Sequence, residues 1–381
     1  MADVLVLGGG FGGLAAVHEL RRLLPADDTV TVIASRDTFF VGFAKLWELS
    51  GVRPLADGTR SLSALERHGI RFVQADITAI DAAARRAETS AGTFTVDAMV
   101  IALGAGYQPK HTAMLGAHAH NLYDATALPG IKADLDALTT GTLLVSILGA
   151  PYLCPPAPFE AALLLDEWLR ANGRRDQVDV VVSTPQPLTL PVAGPDASRF
   201  LAERLTERDV TVLTEHPLES IDHGAGVARF SDDRTREFGL MLGVPAAAPP
   251  PVVAASDVAA ESGWITPDRQ TFATRAERVY AVGDCTMVPT ATAQLPKAGV
   301  FAEAEGRIAA ANLAAELHGG DRVAFDGNGY CFLELPGHRV AKVVGNFYAE
   351  PKPDVRLTPP DEAAFAAKQR WEQERLAAWL G

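Results

Sequence analysis

With three cysteines in 381 residues, Cys154, Cys285 and Cys331, the chain has too few to staple a secreted scaffold, and their spacing holds neither a CxxC pair nor a Cys/His zinc pattern. The nine histidines, His111, His118 and His120 among them, show no ligand spacing either, so no metal site is expected. No apolar run reaches the roughly 18 residues that a membrane-spanning helix needs. No charged stretch followed by an apolar one precedes the strand-like Val4-Leu5-Val6-Leu7, so no export signal is read and a cytoplasmic location is expected. Positive charge is in deficit: 34 Lys and Arg against 47 Asp and Glu leave a formal net charge of -13. Such a field repels phosphate backbones, and nucleic acid is not an expected partner. What remains, 48% hydrophobic and 21% charged residues, describes an ordinary globular protein whose length suits two or three packed units.

The hydrophobic pattern opens as a short buried strand, a glycine turn, a helix to about Leu23 and a second strand over 29–33, which is one βαβ unit. Strands follow over 71–74 and 97–103, with 93–95 as a hairpin arm between them. A second βα unit starts with a strand over 143–148, continues in a helix over 159–171 and returns in a strand over 178–183. Proline-rich stretches at 185–195 and 245–251 read as loops. The first unit resumes with a strand at 279–282, and a long helix is expected over 297–318. Beyond Asp321 come strands over 329–335 and 338–347 and a terminal helix over 361–380. The expected fold is therefore α/β, with two Rossmann-like, doubly wound dinucleotide-binding domains: a discontinuous one of residues 1–108 and 273–320, and one of residues 109–272. Residues 321–381 form a small strand-rich region plus a terminal amphipathic helix.

Gly8-Gly9-Gly10-Phe11-Gly12-Gly13 places G-x-G-x-x-G directly after a strand and before a helix. Gly8 makes the turn, Gly10 lets a pyrophosphate approach the backbone, and Gly13 allows close packing of helix on strand. The acid expected near the end of the second strand to hold a ribose is missing, and Ser35 or Arg36 takes its place. Val279-Tyr280-Ala281-Val282-Gly283-Asp284 resembles the segment by which two-dinucleotide flavoproteins place a carboxylate on the ribityl chain of FAD. Ile101-Ala102-Leu103-Gly104-Ala105 is similar to their ATG segment, with Leu103 at the threonine position. Gly8, Gly10, Gly13, Ser35, Arg36, Ala102, Gly104, Gly283 and Asp284 are thus the candidate FAD-binding residues.

In pyridine-nucleotide-linked flavoproteins the second βα turn carries its own glycine motif. Here it reads Gly149-Ala150-Pro151-Tyr152-Leu153-Cys154-Pro155-Pro156-Ala157-Pro158-Phe159-Glu160, and its prolines remove the N–H donors that a pyrophosphate requires. NAD(P) is disfavoured as electron donor. The segment from Cys154 to Glu160 resembles the C-P-P-x-P-Y-E stretch of flavocytochrome c sulfide dehydrogenase flavoproteins and its counterpart in sulfide:quinone oxidoreductases. Pro296-Lys297-Ala298-Gly299 and Gly329-Tyr330-Cys331-Phe332-Leu333-Glu334 are similar to further segments of that group, and the likeness runs from Val4 to about Pro360.

The resemblance implies that Cys154 and Cys331 meet over the flavin as a redox pair that oxidises sulfide, with a small buried hydrophobe as the alternative for each. A helix N-terminus or a nearby cation is expected to lower the Cys154 pKa. Lys297, at the start of the long helix, is either a cation for the reduced flavin or a surface lysine, and Glu160 is either a proton shuttle or an ordinary first-turn carboxylate. Quinone-reducing members commonly carry a third cysteine, and none stands in the Asn121-Leu122-Tyr123 neighbourhood where it would fall. Cys285 is read as a packing residue. Electrons then pass to quinone or to a cytochrome c. The terminal helix, with Phe365, Leu376, Trp379 and Leu380 on one face and Lys368, Arg370 and Arg375 elsewhere, is either packed on its own domain or a peripheral contact with the cytoplasmic face of a membrane. The rival readings are an NAD(P)H-dependent flavoprotein reductase and a non-catalytic FAD-binding subunit or sensor.

Overall fold

A computed structural model describes residues 1–381. Its first sheet is parallel and five-stranded, in the order Val279–Ala281, Ala98–Ile101, Asp3–Leu7, Thr29–Ala34, Arg71–Gln74. Strands early and late in the chain flank Asp3–Leu7, which is the doubly wound arrangement. Alternation along the central strand assigns its two faces. Val4 and Val6 join the core shared with the helix Phe11–Leu23, whereas Leu5 and Leu7 face Ile80, Ala87 and Met99. Phe11–Leu23 and the long helix Gly299–His318 pack tightly on the first face, and the antiparallel strands Ile77–Asp81, Arg86–Thr89 and Gly92–Thr95 cover the second. Gly306 makes the helix contact close, since a Cβ there would stand 2.3 Å from the Gly12 carbonyl oxygen.

The second sheet is also parallel and five-stranded: Ala119–Asn121, Leu240–Val244, Gly141–Ile147, Val178–Ser183, Thr211–Leu213. Apart from the exposed Gly141 and Asp179, the residues of Gly141–Ile147 and Val178–Ser183 are buried, so both faces of these central strands are covered. Gly106–Tyr107 and Ala247–Ala248 pair where the chain crosses between the two sheets. The last region is an antiparallel sheet of Asn328–Leu335, Arg339–Asn346 and Asp354–Leu357, followed by the helix Glu362–Leu380.

Two expectations are corrected. The long helix begins at Gly299 rather than Lys297, because Ala298 is extended and serves as the N-cap. The terminal helix does not present an apolar face outward. Phe365, Trp371, Leu376, Trp379 and Leu380 are buried within the main core, Lys368 is 1% exposed, Glu372 pairs with Arg53, and Arg375 pairs with Glu303. Its exposed positions are Glu362, Ala363, Arg370, Gln373, Glu374, Ala377 and Ala378, which leave no large apolar side chain for a lipid interface. Tertiary packing on several sides at once decides this, and a single-face reading of helical periodicity does not capture it. No helix of the chain is long and apolar enough to cross a membrane.

Candidate active site

Asp3–Leu7 ends on Gly8, whose φ of 114° suits glycine, and a Cβ there would stand 2.2 Å from the Ala102 carbonyl oxygen. At Gly13 a Cβ would lie 1.9 Å from the Gly8 oxygen, so the helix can rest on the turn only with glycine at that position. Gly10 differs: nothing stands within 4 Å of its Cβ position, and the helix it precedes has no side-chain cap. Open space beside uncapped N–H groups is what a phosphate approach needs. Gly104, at φ 66°, borders open space likewise, just beyond Ala102.

Gly283 and Asp284 follow the strand Val279–Ala281 and are held from two sides. Glu305, on the long helix, accepts the Gly283 N–H at 2.5 Å. Lys297 donates to the carbonyls of Asp284 and Thr286, both at 2.8 Å, and its ammonium lies 3.7 Å from the Trp264 ring centroid. The lysine expected to face a flavin is therefore occupied by the loop that bears Asp284, and its helix placement was the source of the misreading. Burial raises the Asp284 carboxyl, with Lys297 opposing, and burial raises Glu305 to about 7. Glu305 escapes sequence reading because one acid in a long helix has a surface reading; a carboxylate among alanines on its buried face was the available signal. Ser35 and Arg36 stand exposed after Thr29–Ala34; the Ser35 carbonyl accepts from Gln74 at 3.2 Å, and Arg36 makes no ion pair. Together these residues fit FAD: an uncapped glycine turn for the pyrophosphate, a cation at the adenosine end and a half-buried carboxyl for the ribityl hydroxyls.

Cys154, from the second βα turn, and Cys331, from Asn328–Leu335, line one cavity of ≈ 210 Å³ as free thiols. Phe11, Phe43, Phe332 and Trp371 supply much of its apolar wall. Cys154 holds a left-handed φ of 44°, a conformation that costs a non-glycine residue energy and is maintained by its surroundings. Its N–H donates to the Lys297 carbonyl at 2.9 Å, and the Tyr123 hydroxyl donates to the Leu153 carbonyl at 2.5 Å. Tyr123, at the place where a third cysteine would fall, thus fastens the loop that carries Cys154. Burial raises the Cys154 thiol to about 12, with Glu160 adding to the rise, and burial and then Cys154 raise Cys331. The expected lowering of Cys154 does not occur; Lys368 and Lys45 act in that direction and are outweighed. Lys45 was missed by sequence analysis. Its ammonium donates to the Tyr123 carbonyl, and burial lowers its pKa to about 8. Cys285 packs beneath the sheet, fully buried, as anticipated.

A wider cavity of ≈ 620 Å³ adjoins on the side of Tyr152, Pro296 and Phe347. A narrow cleft lined by Pro155, Pro296, Phe347 and Cys331 shares walls with it. Cys331 therefore lines both the cysteine cavity and this narrow cleft.

Behind the cysteines lies a buried charge cluster. Lys368 Nζ is 2.7 Å from Glu334 Oε2 and 3.6 Å from Glu160 Oε1, with side-chain exposures of 1–2% throughout. Glu160 Oε1 also accepts the Glu334 N–H at 2.6 Å, and Trp47 Nε1 donates to Glu334 Oε2 at 2.9 Å. Burial raises the Glu160 carboxyl against the pull of Lys368, and the two carboxylates hold Lys368 above its ordinary value although burial opposes this. Glu160 is thus no ordinary first-turn carboxylate. It occupies the first turn of Ala157–Ala171, where a second dinucleotide phosphate would have to sit.

The model of the pyridine nucleotide-disulphide oxidoreductase family matches residues 2–315. Among curated proteins, the mitochondrial sulfide:quinone oxidoreductase of Mus musculus is 25% identical over 310 residues, covering 76% of this chain and 66% of that protein, just under two thirds. The sulfide-quinone reductase of Aquifex aeolicus is 25% identical over 393 residues, covering 97% of this chain and 87% of that one. The crystal structure of the Aquifex aeolicus sulfide:quinone oxidoreductase superposes with a TM-score of 0.88 at 22% identity, covering 100% of this chain and 92% of that chain, and that likeness shows the fold. A NAD-dependent persulfide reductase from A. fulgidus shares the fold at a TM-score of 0.72 and 19% identity, covering 90% of this chain and 64% of that chain. The match over most of its length, together with residues that fit the cofactor, places the chain in the pyridine nucleotide-disulphide oxidoreductase family, as an FAD-binding oxidoreductase.

Proposed function

We propose that the chain oxidises hydrosulfide through the Cys154/Cys331 pair and passes the electrons by way of FAD to a quinone. The observation that carries this is the convergence of two cysteines, distant in sequence, on one aromatic-walled cavity that Phe11, next to the glycine turn, also lines. The named activities of the mouse and Aquifex relatives agree with it.

In the oxidised pair the cysteines share a disulfide. Hydrosulfide attacks one sulfur, the S–S bond breaks, a persulfide forms on the attacked cysteine and the other leaves as a thiolate. Restoring the disulfide releases one sulfane sulfur, one proton and two electrons. Bound FAD supplies the two-electron acceptor. The residues of the chain arrange the rest. Tyr123 and the Lys297 carbonyl hold the Cys154 loop, and Lys45 and Lys368 offset the negative charge of the departing thiolate. That compensation matters because burial disfavours thiolate at both positions. Gly8, Gly10 and Gly13 would hold the pyrophosphate, Arg36 and Ser35 the adenosine end, and Asp284 the ribityl chain, with Ala102, Gly104 and Gly283 as the remaining residues of the site. Glu160 takes up the proton that hydrosulfide oxidation releases. The wider cavity, through the narrow cleft that Cys331 lines, gives sulfur species a route to Cys331, and the aromatic wall of Phe11, Phe43, Phe332 and Trp371 suits a flat quinone. Prolines and the buried Glu160 at the second βα turn argue against NAD(P)H as donor.

The test is anaerobic mixing of the FAD-loaded protein with sulfide, then with a soluble quinone. Sulfide is expected to bleach the flavin and quinone to restore it, with NADH giving no bleaching. Bleaching by NADH and none by sulfide overturns the reading in favour of a pyridine-nucleotide reductase. Reoxidation by cytochrome c but not by quinone moves the acceptor to a cytochrome.

A further inference from the structure

Glu334 sits between two cavities that do not otherwise meet. On one side it bonds Lys368 at 2.7 Å, and Lys368 and Glu160 both line the cysteine cavity. On the other it lines a separate open cavity of ≈ 320 Å³ walled by Ser50, Trp168 and His338. Ser50 lines this outer cavity, and its Oγ is buried without a hydrogen-bond partner.

We infer that Glu334, Lys368 and Glu160 form a proton relay joining the cysteine cavity to solvent through this outer cavity. The charge count supports it. Two carboxylates and one ammonium, shielded from solvent, leave one negative charge uncompensated, and one added proton neutralises the cluster. The facing groups are few. Cys154 and Cys331 lie toward Glu160, and Glu372, paired with Arg53, lies toward Lys368. Phe43 and Trp47 close the remaining sides, with Lys368 Nζ 4.4 Å from the Phe43 ring centroid. A proton entering on Glu334 passes to Lys368 as Lys368 gives one of its own to Glu160, so one proton moves and Lys368 ends as it began. Reversal carries a proton outward. The relay goes beyond the proposed sulfide chemistry, because two-electron reduction of a flavin takes up a proton whatever the reductant.

The test is photoreduction of the bound flavin without sulfide, in a weakly buffered solution with a pH-indicating dye, timing proton uptake against flavin bleaching. In the unaltered holoprotein the two coincide. In Glu334→Gln, which keeps the shape and the acceptor for Trp47 and Lys368, uptake is expected to lag by about a hundredfold, as for loss of one proton-transfer group. Glu334→Asp should restore it in part, and formate, a small acid that enters the outer cavity, should shorten the Glu334→Gln lag. Ser50→Phe, which narrows that cavity and leaves the three charged residues intact, should lengthen it as well and decides the matter if Glu334→Gln does not fold. Proton uptake in step with bleaching in the FAD-loaded variants overturns the relay. Failure of sulfide to reduce the flavin would leave this result untouched.

Discussion

Replacing Lys368 with methionine keeps most of the side-chain volume and removes the one cation between two buried carboxylates. Lys368 is 1% exposed, with Glu334 at 2.7 Å and Glu160 at 3.6 Å. Removing one partner of a buried ion pair typically costs about 3–5 kcal/mol, since the remaining charge has neither water nor counter-ion. The variant can limit that loss by protonating a carboxylate, which fixes the sign of its pH dependence. Burial already raises the folded-state pKa of Glu160 above its ordinary 4.5, so its contribution to stability falls as pH rises above that value. Without Lys368 the pKa rises further and the fall extends to higher pH. The difference from the unaltered protein should therefore be small near pH 5 and grow by about 1 kcal/mol or more by about pH 8, since each tenfold gain in proton affinity of the folded state is worth about 1.4 kcal/mol. Urea midpoints of the FAD-loaded proteins at both pH values measure it. A deficit below about 1 kcal/mol at both pH values would refute the argument that Lys368 holds this cluster together.

Gly10→Glu places a charged side chain where the backbone borders open space, and should give a folded, colourless protein; full flavin absorbance in the variant would reassign the turn. Glu305, raised to about 7 from 4.5, makes the unaltered protein lose stability as pH climbs from about 4.5 to about 7, up to about 3 kcal/mol. Glu305→Gln should flatten that slope in denaturation measured across this range, and an unchanged slope would place the titration elsewhere. Removing residues 361–381 strips the buried apolar side chains of Phe365, Trp371, Leu376, Trp379 and Leu380, each contributing about 1.5–3 kcal/mol, so the truncated chain should aggregate rather than leave a membrane in soluble form. A soluble, FAD-loaded truncation would restore the view of this helix as a detachable anchor.

The first parallel sheet and the central pair of strands in the second were legible from short, mostly apolar runs near glycine turns, and 71–74 and 178–183 were read to the residue, whereas 119–121, 211–213 and 240–244 were not read as strands. Gly8, Gly10 and Gly13 were legible from their spacing after a strand: Gly8 and Gly13 meet a steric demand of the turn itself, and Gly10 borders open space. What escaped depends on contacts between distant segments. Lys297 looked like a helix-terminal cation, and only the return of the Gly283–Cys285 turn shows that its donors are taken by the Asp284 and Thr286 carbonyls. Lys45 and Glu305 carry no local motif, and burial created by other elements defines their chemistry. The direction in which the Cys154 pKa moves was misread because proximity to a helix start is visible in sequence, whereas the desolvation that outweighs it is not. Lys368 looked like the polar side of a surface helix until Glu160 and Glu334, far away in sequence, came to rest against it.

The central claim is that Cys154 and Cys331 act as a pair, and single substitutions test it most directly. Cys154→Ser and Cys331→Ser should each retain FAD, since neither residue belongs to the glycine turn or the Asp284 loop. Stopped-flow mixing of each with sulfide under anaerobic conditions should then show flavin reduction slowed by at least about a hundredfold, as expected when a nucleophile is removed. Reduction of the flavin at the unaltered rate in either FAD-loaded variant would contradict the paired mechanism.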